Sequence, residues 1–588
     1  MTKEWSLDVL YTGLDDPKFA ADQERLDGLT EQLNALAESW AAQDYPDAGD
    51  MIEKALLLEE EYRSVLSNMM SYLSLSQSVD TTNAAISGAM SVLEAKASKA
   101  AKANVMINRQ IAKSGDLEPF METHPLLKEY EYYLSRVQQS AAHMLSDDAE
   151  EMISQMNLTG GGAWAKLSDY LTATVQVPYD GRIANLSEVR NLCSDPDREV
   201  RKAAYEAELA AYPQIADAMA FALNNIKSQV KMLSKKRGYA SPLAMTLEDS
   251  AMKQETLDAM FAAMKEYMPK FHEYMKAKAK KLGVGDSLAW FDMLAPVGSD
   301  DKKYTIEETK EYLIRSFSAF SPDMAEMMER AFDESWIDFE PHAGKVGGAF
   351  CSPLVNAKQS RILTNFNGSF GAVDTLAHEL GHAYHNLHTQ DLRILNQHGY
   401  GMQLAETAST FNETHIMLKA ISEAEGEQKL ALLDSILSNT NQIICDIYSR
   451  FLFEDAVFSR CQDEFLMPEQ LKEIMLNAQK EAYGDGLNPE YLHPYMWVCK
   501  SHYYSEGLSY YNFPYAFGGL FAMGLYAQYQ KEGQSFVPKY QNLLHETPVR
   551  TCEEVAAMAD IDITKKEFWE QSMEAFAKLI DEFVELAK

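Results

Sequence analysis

Two histidines four residues apart, His378 and His382 in the run His378-Glu379-Leu380-Gly381-His382, constrain this chain most, because that spacing brings two imidazoles together only on an α-helix. A helix turns about 100° per residue, so positions four apart share a face and can hold one zinc ion between them. Glu379 falls about 100° around from His378, where a carboxylate can act as general base to a water at the metal without displacing a ligand. The flanks agree with a helix. Val373, Leu376, Leu380, Ala383 and Leu387 form an apolar stripe suited to a core, and His378, His382 and His385 lie on another face.

A catalytic zinc ordinarily takes three protein ligands and leaves a position for water, so a third donor is needed. His388 stands where some His-based sites place theirs, but those sites turn the chain at a glycine, and here that position is His385. A continuing helix carries His388 about 15 Å along the axis from His378, out of reach. Glu406 is the expected third ligand. It sits in Leu404-Ala405-Glu406-Thr407-Ala408-Ser409-Thr410-Phe411-Asn412-Glu413, which reads as a second helix with Leu404, Ala408, Phe411 and Ile416 on its packing face. The polar loop around His398-Gly399-Tyr400-Gly401 allows one return crossing to the first helix, and Glu413, two turns beyond Glu406, is expected to orient a ligand histidine.

Three stretches around these residues carry a resemblance: Ile362-Leu363-Thr364-Asn365-Phe366-Asn367-Gly368, Asp374 through His385, and Ala405-Glu406-Thr407-Ala408-Ser409. Together they resemble the oligoendopeptidase F branch of the thimet-oligopeptidase family of zinc metallopeptidases. Gly347 to Cys351 is similar to the strand that borders the cleft in that family, and His502 through Gly518 is similar to its His/Tyr-rich segment. Trp5 and Asp195-Pro196-Asp197-Arg198-Glu199-Val200-Arg201 extend the likeness to nearly the whole chain. The resemblance implies a mainly α, two-lobed, zincin-like metallopeptidase with a small β-sheet beside the zinc helix. It also implies a deep internal cleft, which admits short peptides and excludes folded proteins.

Peptide hydrolysis builds negative charge on the carbonyl oxygen, which needs a donor besides the metal. His502, Tyr504, Tyr511 and Tyr515 are the candidates; packing explains any single tyrosine, whereas the cluster with Gly507, Gly518 and Gly519 reads as a functional segment. About three residues near Ser505-Glu506-Gly507 are additional to the family pattern. The expected activity is that of a zinc-dependent endopeptidase with one zinc ion per chain, Glu379 shuttling the proton and the substrate backbone adding to the strand near Gly347 to Cys351. A zinc carboxypeptidase on a related helical fold would use the same motif. A catalytically inactive peptide-binding protein would need a lost ligand or base, and none is lost.

Composition narrows partners rather than activity. The 588 residues carry a net charge of −35, which excludes a basic footprint for nucleic acid, and 46% hydrophobic content without a long apolar run gives a large core and no membrane span. The start Met1-Thr-Lys-Glu-Trp lacks a secretory pattern, and six scattered cysteines without a Cys-x-x-Cys pair suit free thiols, so a cytoplasmic location is expected. Cys351 is the cysteine expected near the cleft. Short peptides are the expected partners, and the sequence leaves oligomeric state open. Residues 1–200 read as a helical lobe, punctuated by Gly160-Gly161-Gly162, with a small hairpin at 172–184; residues 201–588 read as the catalytic domain. Short strands are expected at 336–339, 347–352 and 361–365, leading into the zinc helix.

Overall fold

Helices with one apolar face build nearly all of this chain, and the computed structural model describes every residue except 1–2, 43–47, 300–301 and 398. His398 of the return loop therefore lies outside the described residues. Near the amino terminus, α1 (Pro17–Ala42) buries Leu26, Leu29, Leu33 and Leu36 at three- and four-residue spacing against α2 (Ala48–Val79). Helix α3 (Ala101–Lys113) repeats the rule with Ala103, Ile107 and Ile111, and packs between α1 and α4 (Glu131–Ala142). These residues form a first core that runs from Leu10 to Leu134.

A second, larger core begins at Val175. The chain reaches it through α5 (Gly161–Thr174) and the two-stranded hairpin of β1 (Val177–Tyr179) and β2 (Arg182–Ala184). Asp180 and Gly181 occupy its turn at φ 49° and 72°, the left-handed pair that matches the twist of a tight hairpin. The cores thus part upstream of residue 200, and the hairpin packs with the larger one. Helices α6 (Arg198–Ala211), α7 (Ala216–Lys236) and α8 (Gln254–Lys281) follow.

The sheet that borders the site has three strands in the order β3-β5-β4: β3 (Ile337–Asp338) parallel to β5 (Gln359–Leu363), and β4 (Phe350–Leu354) antiparallel to it. Strand β4 is shifted carboxyl-terminally from the sequence expectation because Gly348, at φ 80°, turns the chain before pairing starts. From β5 the chain enters α9 (Phe370–Thr389), started by Ser369, whose hydroxyl accepts from the Ala372 amide at 3.2 Å. The remaining elements around the site are α10 (Met402–Ala405), α11 (Thr407–Glu423), α12 (Gly426–Asn441), a π-turn at Gln442–Asp446, α13 (Ile447–Arg460), α14 (Phe513–Glu532) and α15 (Lys566–Leu586). Helix α15 lies along α8, α12 and α14 and closes the large core.

The first core reaches across to β4 through Leu354, with Phe350 and Leu395 packed against it, and polar contacts add to that join. Val346 donates its amide to Ser78 O at 2.9 Å, Arg136 Nη2 to Glu248 O at 2.9 Å, and Asn396 Nδ2 to Glu129 O at 3.0 Å.

Helices α9 and α11 approach unusually closely at Gly381. A methyl group there would stand 2.5 Å from Ala408 O and 2.6 Å from Ser409 Cα, backbone atoms that cannot swing aside. Gly381→Ala is expected to lower the unfolding free energy by about 1–3 kcal/mol, as overpacking does, and urea denaturation followed by circular dichroism measures it.

Candidate metal centre

Helix α9 buries Val373, Leu376, Leu380 and Ala383 and turns His378 and His382 away from that face. The second element differs from the continuous helix expected: it breaks at Glu406, whose φ of −90° and ψ of 7° separate α10 from α11. The break points the Glu406 carboxylate at the histidines. Its Oε2 lies 3.4 Å from His378 Nε2 and 3.3 Å from His382 Nε2, and Ser409 Oγ donates to it at 2.8 Å. Ligand atoms of His378, His382 and Glu406 all fall within 4.8 Å of one another, the only such group of three or more His, Cys, Asp or Glu residues among the described residues. Two imidazole nitrogens and one carboxylate oxygen suit a borderline divalent cation such as zinc.

Further carboxylates surround this group. Glu413 Oε1 is 3.1 Å from His378 Nδ1, as expected of a residue that orients a ligand. Burial works against protonation of His378, but Glu413, Glu379 and Glu406 outweigh it and raise its pKa to about 9 in the metal-free protein. Burial also opposes ionisation of Glu406, yet the hydrogen bonds from His382 and Ser409 hold it at about 2. Glu379 is buried and its pKa is raised by desolvation, with His378 and His382 pulling the other way. Asp374, one turn before His378, is raised by burial and by the neighbouring Glu413. The other two histidines of α9 are engaged elsewhere. His385 is 2.7 Å from Thr547 Oγ1 and stacks on Tyr400, and burial drops its pKa to about 3; His388 packs edge-on against Tyr384.

Two cavities meet at His378 and Glu413. One, of about 560 Å³, runs along Gly348, Ala349, Asn365 and Glu379 beside β4. The other, of about 410 Å³, is walled by Met402, Met417, Ile443, Tyr511, Tyr515 and Phe576.

The family model described as peptidase family M3 matches residues 191–575, and the oligopeptidase F model matches residues 113–176. The chain belongs to peptidase family M3. It is 24% identical to the oligopeptidase PepF of Bacillus subtilis, over 99% of this chain and 87% of that one. It is also 26% identical to the group B oligopeptidase PepB of Streptococcus agalactiae, over 80% and 79%. A candidate peptidase from Chlamydophila abortus superposes with a TM-score of 0.85 at 19% identity, covering 99% of this chain and 98% of the other. The oligoendopeptidase F of Enterococcus faecium does so with 0.69 at 18%, covering 97% and 98%.

In this M3 peptidase the His/Tyr-rich segment reaches the metal group through Tyr511 and Tyr515, both lining the second cavity. His502 packs edge-on to Tyr511 with ring centres 4.9 Å apart, and lines neither cavity. Tyr504 is a correction to the sequence expectation: it is buried, and its hydroxyl donates to Trp497 O at 3.0 Å, so it packs the segment from beneath. The additional residues also have a place, since Glu506 Oε1 accepts from Asn157 Nδ2 at 2.8 Å and ties the segment to the start of α5. Cys351 lies near enough to Glu379 for burial and that carboxylate to push its thiol pKa up.

Three contributors escaped the sequence reading. Ser409 steadies Glu406, and Asn412 donates to Ala377 O at 3.1 Å, stitching α11 to α9. Glu454 is the third. Fully buried with Lys227 at 2.7 Å, it accepts from the Tyr510 amide and from Asn512 Nδ2, each at 3.0 Å. That grip fixes Tyr510 at φ 53°, a conformation costly for a tyrosine, and so aims Tyr511. Ser409 was detectable as a hydroxyl three residues from a ligand carboxylate; Glu454, over fifty residues from Tyr511, gave no local signal.

Because the folded pKa of His378 is raised from 6.5 to about 9, its proton contributes stability that is fully present below 6.5 and lost as pH rises through 9. The metal-free protein is expected to lose up to about 3 kcal/mol across that window, and thermal melts of wild type and His378→Asn at stepped pH show it as a slope that the variant lacks. Ser409→Ala is expected to weaken metal binding by about 10- to 100-fold, read by competition with a chelating dye.

Proposed function

We propose that this M3 peptidase is a zinc endopeptidase that cleaves internal bonds of short, extended peptides. The observation that carries the reading is the meeting of His378, His382 and Glu406 atoms within 4.8 Å, with Glu379 beside them. A zinc ion held there would supply Lewis-acid polarisation and make water a stronger acid near neutral pH.

The chain's own residues do the rest. Glu379, with its pKa raised by burial, takes a proton from the attacking water and returns it to the leaving amine, a role that suits a carboxylate made more basic than usual. Tyr515, whose pKa is pushed up to about 12 by burial and by Tyr511, keeps its phenolic proton and can donate it as a hydrogen bond to the developing oxyanion. Tyr511 shares that cavity, and His502 supports Tyr511 from behind. Strand β4 is an edge strand, with β5 on one side only, so an extended substrate can add along its other edge. Main-chain pairing of that kind reads length and extension more than side chains.

The names of the relatives, oligopeptidase and oligoendopeptidase F, support an endopeptidase over a carboxypeptidase. With every catalytic group present, an inactive binding protein is disfavoured. All six cysteines are free, which supports a reducing cytoplasmic setting, and no helix among the described residues is long and apolar enough to cross a membrane.

The test is mass spectrometry of a library of peptides, about five to thirty residues long, half of them carboxyl-amidated, because an extended chain at about 3.3 Å per residue meets a length limit in a closed cleft. Internal cuts indifferent to amidation are expected. Single-residue trimming of free carboxyl ends alone would favour the carboxypeptidase. Glu379→Gln should keep its metal and lose about 10²- to 10⁴-fold in rate. The double variant Tyr511→Phe, Tyr515→Phe should lose about 10²- to 10³-fold in kcat with metal affinity unchanged.

A further inference from the structure

A third cavity, of about 150 Å³, lies on the other side of the π-turn and shares no lining residue with the two cavities at the metal group. Its walls are aromatic and apolar at Tyr205, Trp290, Phe291 and Met293, and cationic at Arg190 and Lys500.

Most of the charge around it is spoken for. Arg201, which also borders the cavity, donates to Phe291 O, Asp195 O and Pro196 O and pairs with Asp292 at 2.9 Å. Glu208 takes Arg190 Nε at 3.1 Å, His493 at 3.1 Å and the Tyr212 hydroxyl at 2.6 Å. Asp446 pairs with Arg450. What remains are donors. Among the described residues Arg190 meets a carboxylate through Nε alone, and the nearest carboxylate to Lys500 Nζ is Asp446, 4.0 Å away. Cations this loosely matched by carboxylates at one cavity mark a place for an anionic group.

We propose that this cavity binds a small monocarboxylate with an aromatic or apolar body, its carboxylate held by Arg190 and Lys500, and that its occupancy is felt at the catalytic cavity through the π-turn. The volume fits such a body, since cavities of about this size take up benzene. Arg190, Lys500 and Arg450 set against Glu208 and Asp446 leave one positive charge unmatched, room for one negative charge rather than two, which disfavours phosphate dianion. The π-turn supplies the link. Gln442 and Asp446 face the third cavity, while Ile443 between them lines the one that holds Tyr511 and Tyr515 and packs so tightly on Gly519 that a methyl group there would meet Ile443 Cδ1 at 2.3 Å. A π-turn holds one residue more than the α-helix needs, so a ligand that pulls on Gln442 or Asp446 shifts that surplus, and Ile443 moves with it.

The experiment is calorimetric titration of phenylacetate into the metal-loaded protein, alongside its neutral analogue phenylacetamide and inorganic phosphate, with fluorogenic-peptide hydrolysis followed at saturating phenylacetate. Phenylacetate is expected to bind, the other two to fail, and Arg190→Met and Lys500→Met each to weaken binding by about tenfold or more. Two variants are used so that a folding defect in one leaves the other decisive. The kcat/KM of wild type should change on saturation and that of Arg190→Met should not. N-acetylphenylalanine titrated in parallel distinguishes the carboxyl end of a peptide product from a free acid. Absence of binding, binding that ignores both substitutions, or equal binding of phenylacetamide or phosphate would overturn the site. Binding that leaves kcat/KM unmoved would overturn the link through the π-turn.

Discussion

Everything at the metal group depends on how near two helix backbones come at Gly381. With any side chain there, α11 would stand farther from α9, and the Glu406 carboxylate, 3.3–3.4 Å from both imidazoles, would be carried away from them. The short distance also lets Asn412 reach the Ala377 carbonyl, so the contact is locked by a hydrogen bond as well as by packing. Glycine in a helix interior costs about 1 kcal/mol relative to alanine. That cost is offset by a ligand arrangement that no larger residue would permit.

The same approach concentrates charge. Four carboxylates, Asp374, Glu379, Glu406 and Glu413, stand around two imidazoles in a half-buried space. Their responses diverge: Glu406 is held ionised by His382 and Ser409, whereas Glu379 and Asp374 are pushed toward their neutral forms. Pairs of titratable groups driven apart in this way mark the division between ligand and proton carrier. A divalent cation at the histidines would relieve the excess negative charge, so the electrostatics and the donor set favour the same occupant.

Much of this was legible in the sequence because it is local. Helix periodicity placed the stripe of Val373, Leu376, Leu380 and Ala383 in the core and the histidines off it, and the same arithmetic kept His388 from the ligand set. The break at Glu406 was not legible, since Leu404 through Ile416 keeps an unbroken helical pattern and only packing against α9 and α14 interrupts it. Nor was the fate of Tyr504. Four aromatic residues in one segment look alike until the backbone decides which of them face the cavity, and Tyr504 turns inward to Trp497 while Tyr511 and Tyr515 turn outward.

What aims those two tyrosines is a charge remote from them in sequence. Lys227 on α7 and Glu454 on α13 form a pair shielded from water, and such pairs are weak sources of net stability because desolvation consumes most of the attraction. Their effect is geometric. A carboxylate that cannot be hydrated must find donors, and Glu454 finds them in the Tyr510 amide and the Asn512 side chain, holding Tyr510 in a left-handed conformation that the segment would not keep alone. The additional residues at Ser505-Glu506-Gly507 secure the other end through Asn157. The segment is thus fixed at both ends by buried or half-buried polar contacts, and Tyr511, between the two residues that Glu454 grips, is held toward the substrate side. A segment so held can present its donors to a transition state already in position, at no cost of reorganisation and without drawing on the helices that hold the metal group.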